Sequence, residues 1–460
     1  MVSRKGLACV AACAAMAIVG LARAEDAAVA SPEPRPLVNG TSATLPSELT
    51  LSPWQQVVYL DDTTTTPTPA AAPASAPATP PTLLMGLVGP TPIGQALNAL
   101  HTNIYGHVEG SFTYQNEGRN AQEFIDGRIF DSDSEYGEMN QAYIIVERTV
   151  TDALKANTFD IGARFDIMYG TDARFIHSLG NWDTQDHQYQ WDITQLYGDI
   201  AIPGIATRLR VGKFVTLAGQ EVIDPTGNLF YSHSDLFNYA IPLTQTGGYA
   251  TFNVGPNLVI DAGTTRGWDV SLKSYNDNWD GIARAAYSFN DPNSTVLTGD
   301  IIAGEDQPIR DSKWREVADV ILTTNVGDRI SLAFNGDYGH EEHSAALGGA
   351  TAASWYGAAG YFSYGIDRPI AKSPYVALNG RVEYFNDDKG VRVPGALAVG
   401  GVELAEGTIG LAITPFADDA TLSNLVFRPE FRFDYANKPF FDSGANRYQY
   451  TAAIDAIFKF

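Results

Sequence analysis

The sequence predicts an all-β protein: a transmembrane, antiparallel, up-and-down β-barrel of about sixteen strands. Three observations carry this reading. The segment Tyr448–Phe460 alternates with a period of two, with Tyr448, Tyr450, Ala452, Ile454, Ala456, Phe458 and Phe460 on one face and Gln449, Thr451, Asp455 and Lys459 on the other. Segments of the same kind recur from about residue 103 onward. The connections between them alternate long and short, as they do when one rim carries tight periplasmic turns and the other extracellular loops.

The chain begins with Arg4 and Lys5, an apolar run from Gly6 to Leu21, and then Ala22-Arg23-Ala24. This is the charged, apolar and small-residue order of a secretory signal, so residues 1–24 are read as a signal peptide. A lipoprotein reading at Val10-Ala-Ala-Cys13 leaves too short an apolar segment before its cysteine. Cys9 and Cys13 are the cysteines of the whole sequence, so the exported part has none. Disulfides, thiol chemistry and cysteine-based zinc sites are thereby excluded.

Residues 25–100 form an Ala/Pro/Thr-rich periplasmic extension and linker, densest between Asp61 and Thr82. Such composition cannot bury a core and predicts a largely disordered segment. The short apolar stretch Leu51–Leu60 either docks in the periplasm or merely flanks the linker. Beyond the signal, no apolar run approaches the roughly 18 residues of a membrane helix. The formal charge is −23, and removing Arg4, Lys5 and Arg23 with the signal takes it to −26. That excess of acid argues against a nucleic-acid partner.

The barrel is expected over residues 101–460. Its first strand places Ile104, Val108, Phe112 and Tyr114 opposite His107, Glu109, Ser111 and Thr113. A later one alternates Phe159, Ile161, Ala163, Phe165, Ile167 and Tyr169 with Asp160, Gly162, Arg164 and Asp166. Near the end Phe427, Pro429, Phe431, Phe433 and Tyr435 alternate with Arg428, Glu430, Arg432 and Asp434, with a local irregularity expected at Pro429, which cannot donate to a ladder. Connections 115–139, 170–191, 217–245, 267–280, 305–315, 339–354, 386–402 and 436–447 are long. Those at 149–157, 203–204, 255–257, 290–294, 327–328, 367–373 and 416–423 are short. Sixteen strands fit best, and an even number puts both ends of the barrel in the periplasm; fourteen or eighteen also fit the boundaries.

A barrel of this size encloses water, and its polar face becomes the wall. The expected wall residues are Asp160, Arg164, Asp166, Arg208, Arg210, Arg381, Glu383, Arg428, Glu430, Arg432 and Asp434. Both signs occur among them, which predicts no strong ion preference from the wall and a mild, salt-sensitive cation preference at the acidic mouth. The 217–245 loop carries Glu221, Asp224, Phe230, Tyr231 and Asp235, with Phe237 and Tyr239. It either folds inward and narrows the channel or packs outside on its neighbours. The acidic run Asp131–Glu135 is read as a solvated face; it resembles the opening of a calcium loop but has Tyr136 where glycine is required. No metal, cofactor or catalytic residues are expected, since the histidines form no ligand set and Ser232-His233-Ser234 is the closest nucleophile–base pairing.

The sequence resembles the OmpL-like β-barrel porins of Gram-negative bacteria, a family common in planctomycetes. The resemblance rests on Asn103–Phe112, Arg164–Arg174, Val211–Phe214, Asn228–Ser234, Thr265–Asp269 and Asp455–Phe460, and it covers the barrel but not the linker. It implies a pore-forming protein of the cell outer membrane, passing small hydrophilic solutes and ions by diffusion, and it brings no defined ligand residues. Its implied partners are outer-membrane lipid and the barrel assembly machinery, the latter through the terminal strand ending at Phe460; a homotrimer follows only by analogy of fold. Two other readings stand beside it: an anchor or adhesin displaying acidic loops, and a barrel enzyme.

Overall fold

The structure is a computed structural model that describes residues 82–116, 124–185, 187–204, 207–289, 293–305, 313–366, 375–419 and 421–460. The signal and the extension as far as residue 81 lie outside these residues. Among the described residues there are sixteen strands: β1 Asn103–Gln115, β2 Gly137–Arg148, β3 Asp160–Gly170, β4 Gln190–Ile202, β5 Thr207–Val215, β6 Thr244–Val254, β7 Leu258–Thr265 and β8 Asp280–Ser288, then β9 Val296–Glu305, β10 Trp314–Val326, β11 Ile330–Glu341, β12 Ala353–Ile366, β13 Tyr375–Asp387, β14 Val402–Thr414, β15 Leu425–Ala436 and β16 Tyr448–Lys459. Each pairs antiparallel with its sequence neighbours, and β1 pairs with β16, so the sheet is a closed barrel. Closure leaves no edge, which is what a sheet in hydrocarbon requires.

At the seam the Gly106 N–H donates to the Phe460 carbonyl at 3.0 Å, and the Phe460 N–H returns to Gly106 at 2.9 Å. The final residue therefore completes the cylinder. The outer face presents Val108, Phe112, Leu196, Val320, Phe334, Val382, Ile409 and Phe431, all exposed. Exposed aromatics lie towards both rims, Tyr114, Tyr356, Tyr384 and Tyr435 at one and Tyr375 and Phe252 at the other, as in an interfacial girdle.

The two rims differ as the sequence predicts. Between Val254 and Leu258, and again between Val326 and Ile330, three residues turn the chain, with Gly255 and Gly327 at φ of 70° and 63°. A side chain at either position would be strained. The ladder from β15 to β14 lacks the rungs at Arg428 and Pro429 and resumes in the same register at Ile413–Phe427. Proline supplies no donor there.

Residues 83–99, expected in the extension, form two short helices, α1 Leu83–Val88 and α2 Pro92–Ala99. Thr82 and Thr91 cap them, accepting from the N–H groups of Met85 and Gly94, and Thr82 also donates to the Ile104 carbonyl at the foot of β1. Side-chain capping satisfies N–H groups that the first turn of each helix leaves free.

Candidate channel interior

Apart from local breaks, each strand presents alternate residues to the lumen. On β15 the inward positions are Arg428, Glu430, Arg432 and Asp434, and on β13 they include Arg381 and Glu383; all are buried. What covers them is the loop between β5 and β6, residues 216–243. The Thr216 N–H donates to the Leu243 carbonyl at 3.0 Å, so the loop leaves and re-enters the wall at adjacent points. Between these feet Phe230, Tyr231, Phe237 and Tyr239 are each 4% exposed or less.

The alternating signs of the wall match the alternating dipoles of the loop main chain. Arginines bind its carbonyls: Arg428 donates to Pro225 at 2.9 Å and Asn228 at 2.7 Å, Arg381 to Ser232 at 2.7 Å, and Arg432 to His233 at 2.6 Å. Carboxylates bind its amides: Glu430 accepts from Tyr231 at 2.8 Å and Ser232 at 3.2 Å, and Glu383 from Asp235 and Leu236, both at 2.7 Å. Charge-assisted bonds of this kind are roughly twice as strong as neutral ones. Other walls contribute neutral donors and acceptors. Gln141 of β2 donates to Ile223 at 2.8 Å, Trp355 of β12 to Ala240 at 3.0 Å, and Asn335 of β11 accepts from Gln220 at 3.1 Å.

Ion pairs finish the neutralisation. Arg381 bridges Glu406 at 2.7 Å and Glu221 of the loop at 2.8 Å, Arg428 bridges Asp455 at 2.5 Å and Glu109 at 3.3 Å, and Arg432 bridges Asp434 at 2.7 Å and Asp235 of the loop at 3.1 Å. Glu221 also accepts from the Ser234 N–H at 2.9 Å and pairs with His233 at 3.0 Å, whose ring stacks on Phe237 at 4.2 Å. Asp224 caps the turn Pro225–Gly227 and lies 3.6 Å from His107. Phe230 sits under the Arg381 guanidinium at 5.3 Å.

The first extracellular loop turns inward at Asp131, and there the solvated face expected at Asp131–Glu135 is corrected, while Glu135 is exposed as expected. Asp131 is 1% exposed and pairs with Arg128, which reaches across to Asp434 at 2.7 Å; Asp133 pairs with Arg174 at 3.0 Å. A carboxylate run is drawn indoors when buried arginines are there to receive it.

The remaining wall residues lie on β3 and β5. Asp160 is half-buried and pairs with Arg148 at 2.9 Å. Arg164 binds Asp166 at 2.8 Å and Glu147 at 3.4 Å, Arg208 donates to Thr251 at 3.1 Å, and Arg210 grips Asp199 at 2.8 Å while lying 3.6 Å over the Tyr197 ring. Asn140, Gln141 and Lys213 are among the further groups that face inward without having been read from the sequence. Opposite Gly110 an extra residue in β2 forms a bulge that turns Asn140 and Gln141 both inward. Gly212, at φ 141°, breaks the alternation of β5 and buries Lys213 against Asp192 at 3.3 Å. An isolated glycine inside a strand pattern was the available signal for that break.

Loop titration has a definite sign. Burial raises the Asp235 carboxyl to about 6, opposed by Arg432 and reinforced by Asp434 and Glu406. Its folded value exceeds its unfolded one, so its contribution to stability is greatest below the unfolded pKa and is lost as pH rises through about 6. Glu221 behaves oppositely: burial raises it, but Arg381 and His233 win and hold it at about 2, so its contribution is present above the unfolded pKa and is lost only as pH falls towards that value. Between pH 7 and pH 5 Asp235 dominates this pair, and the protein should gain about 1 kcal/mol from it on acidification. Denaturant midpoints at the two pH values check this, and Asp235→Asn should remove most of that contribution.

A closed sixteen-stranded barrel with an apolar belt, a charged interior and a lumenal loop defines the class of membrane-channel proteins. A match to the family described as "Putative beta-barrel porin-2, OmpL-like" spans residues 101–460. The chain belongs to this β-barrel porin family and is a porin of the outer membrane. Among solved structures it is similar to OprB of Pseudomonas putida, with 11% identity over 81% of this chain and 97% of that one and a TM-score of 0.51. It is also similar to the outer-membrane channel DcaP of Acinetobacter baumannii, with 12% identity, 78% and 97% coverage and a TM-score of 0.49. An anion-selective porin from Comamonas acidovorans matches at 9% identity, 78% and 99% coverage and a TM-score of 0.49. Comparison with the curated proteins finds no match.

Proposed function

We propose that the chain passes small hydrophilic solutes and ions by passive diffusion through the barrel lumen, with the 216–243 loop setting the constriction. The observation that supports this reading is the seating of that loop, bonded through its main chain to walls on several sides of the barrel. Glu221, Asp224, Phe230, Tyr231 and Asp235 belong to the constriction. Arg381, Glu383, Arg428, Glu430, Arg432 and Asp434 hold it in place, while Asp160, Arg164, Asp166, Arg208 and Arg210 line the lumen beside it.

The chain acts as a channel and not as an enzyme. Ser232 accepts from Arg381, Ser234 accepts from the Phe237 N–H, and the His233 ring bonds Glu221, so the three side chains go to different partners. The reading includes export by residues 1–24, a periplasmic extension to residue 100, insertion through the terminal strand ending at Phe460, and assembly as a homotrimer. Purified, folded protein in planar lipid bilayers should give stepwise conductance. Folded barrels that insert without steps would overturn the channel and leave the anchor reading ahead. Light scattering in detergent decides the trimer, and truncation of Phe460, which should slow assembly, decides the role of the terminal strand.

A further inference from the structure

We propose that this channel selects cations through a row of lumenal carboxylates on β9, β10 and β11, a refinement that rests on the porin reading. Register makes the row. Asp261 of β7 stands opposite Arg284 of β8, Arg284 opposite Asp300 of β9, Asp300 opposite Asp319 of β10, and Asp319 opposite Asp337 of β11. Each lies on the inward face of its strand.

The single base in this row is already engaged. Arg284 binds Asp261 through Nε at 2.9 Å and Nη2 at 2.8 Å. Asp300, Asp319 and Asp337 are 6%, 5% and 5% exposed, and none of them forms an ion pair among the described residues. Asp319 accepts from Asn335, whereas no amide, hydroxyl or cation reaches either carboxylate oxygen of Asp300 or of Asp337 among the described residues, and the carboxyl beside each of them is that of Asp319. This is the reverse of the β13 and β15 wall, where every carboxylate named above has a guanidinium or an amide.

Like charges directly opposite one another on neighbouring strands destabilise a sheet, and a buried carboxylate without a partner is costly. A lumen supplies what the wall lacks. A cation in the lumen is drawn by the field of three adjacent carboxylates that no base neutralises, whereas an anion is repelled by it. Carboxylates at an acidic mouth act over a longer distance, and at 1 M salt the screening length falls to about 3 Å. Selectivity set by the row therefore persists at high salt, and selectivity set by the external loops does not.

The test is the reversal potential of the full chain in planar bilayers under a potassium chloride gradient. The expected result is a potassium-to-chloride permeability ratio several-fold above unity that survives at 1 M salt and falls towards unity in Asp300→Asn/Asp319→Asn/Asp337→Asn. Asparagine keeps the shape and removes the repulsion, so the variant should fold at least as stably; heat-modifiable gel mobility checks this, and Asp319→Asn alone should give an intermediate ratio. Asp183→Asn, in an external loop, should leave the ratio unchanged. An anion-selective or unselective native channel, loss of selectivity at 1 M salt, or an unchanged ratio in the folded triple variant would each overturn the proposal. The last outcome would mean that the carboxyls hold protons instead of charge. Absence of any conductance from folded native protein would instead overturn the porin reading, so the two failures are distinguishable.

Discussion

Excising residues 218–241 and joining the two feet of the loop with a short Gly–Ser turn should raise single-channel conductance several-fold. The operation is geometrically mild, because Thr216 and Leu243 are already hydrogen-bonded at 3.0 Å and the ladder from β5 to β6 is complete from Thr244 onward. What is removed is a segment whose aromatic residues and main chain fill the space between β2, β11, β12, β13 and β15. The excision also leaves Arg381, Arg428 and Arg432 without the loop carbonyls they bind, so those side chains become hydrated parts of the wall. A larger and noisier current is the expected record. An unchanged conductance in a folded variant would mean that ions take a path the loop does not obstruct.

The second large effect is on stability. Arg381→Ala removes a guanidinium that is buried and bridges Glu406 and Glu221 while donating to the Ser232 carbonyl. Two carboxylates are left without their main counter-charge. Breaking a buried pair in this way costs about 3–5 kcal/mol, visible as a drop in the denaturant midpoint followed by tryptophan fluorescence. Arg381→Lys keeps the charge but loses the fork and should fall in between. Arg208→Ala, which removes a bond to Thr251, should cost less than about 1.5 kcal/mol. Equal losses in Arg381→Ala and Arg208→Ala would mean that the clamp has no special weight.

Most of the barrel was legible in the sequence because its strands obey a local rule. Each residue faces lipid or lumen according to parity, and the patterns at Tyr448–Phe460 and at Arg428–Asp434 show this without any knowledge of neighbours. Loop lengths carried the topology for the same reason, since periplasmic turns need only a few residues. Parity breaks were less legible. The bulge that turns Asn140 and Gln141 inward, and the inversion at Gly212 that buries Lys213, depend on backbone geometry that alternation does not encode.

The site was legible in its residues and not in its assembly. Composition marked the 217–245 loop as one that should bury its aromatics, yet inside and outside suited it equally. Its seat is defined by Arg381, Glu383 and Arg428 to Asp434, which lie far along the chain and meet its amides and carbonyls only once the cylinder has closed. The charges of Arg428, Glu430, Arg432 and Asp434, which read from the sequence as a bare wall, bind the loop and each other in the structure. Asp131 likewise read as solvated until Arg128 and Asp434 were placed beside it.

The sequence by itself determined that this chain is a membrane barrel, how its strands alternate, which rim carries the long loops and which residues face inward wherever that alternation is unbroken. Those features follow from a period of two between lipid and water, a property of each strand alone. Tertiary structure decided which inward charges are bound and which are free, because that depends on register and loop seating, which bring distant residues together. Arg381 and Arg428 are bound by carbonyls and carboxylates; no base or amide donor reaches the carboxylate oxygens of Asp300 and Asp337 among the described residues.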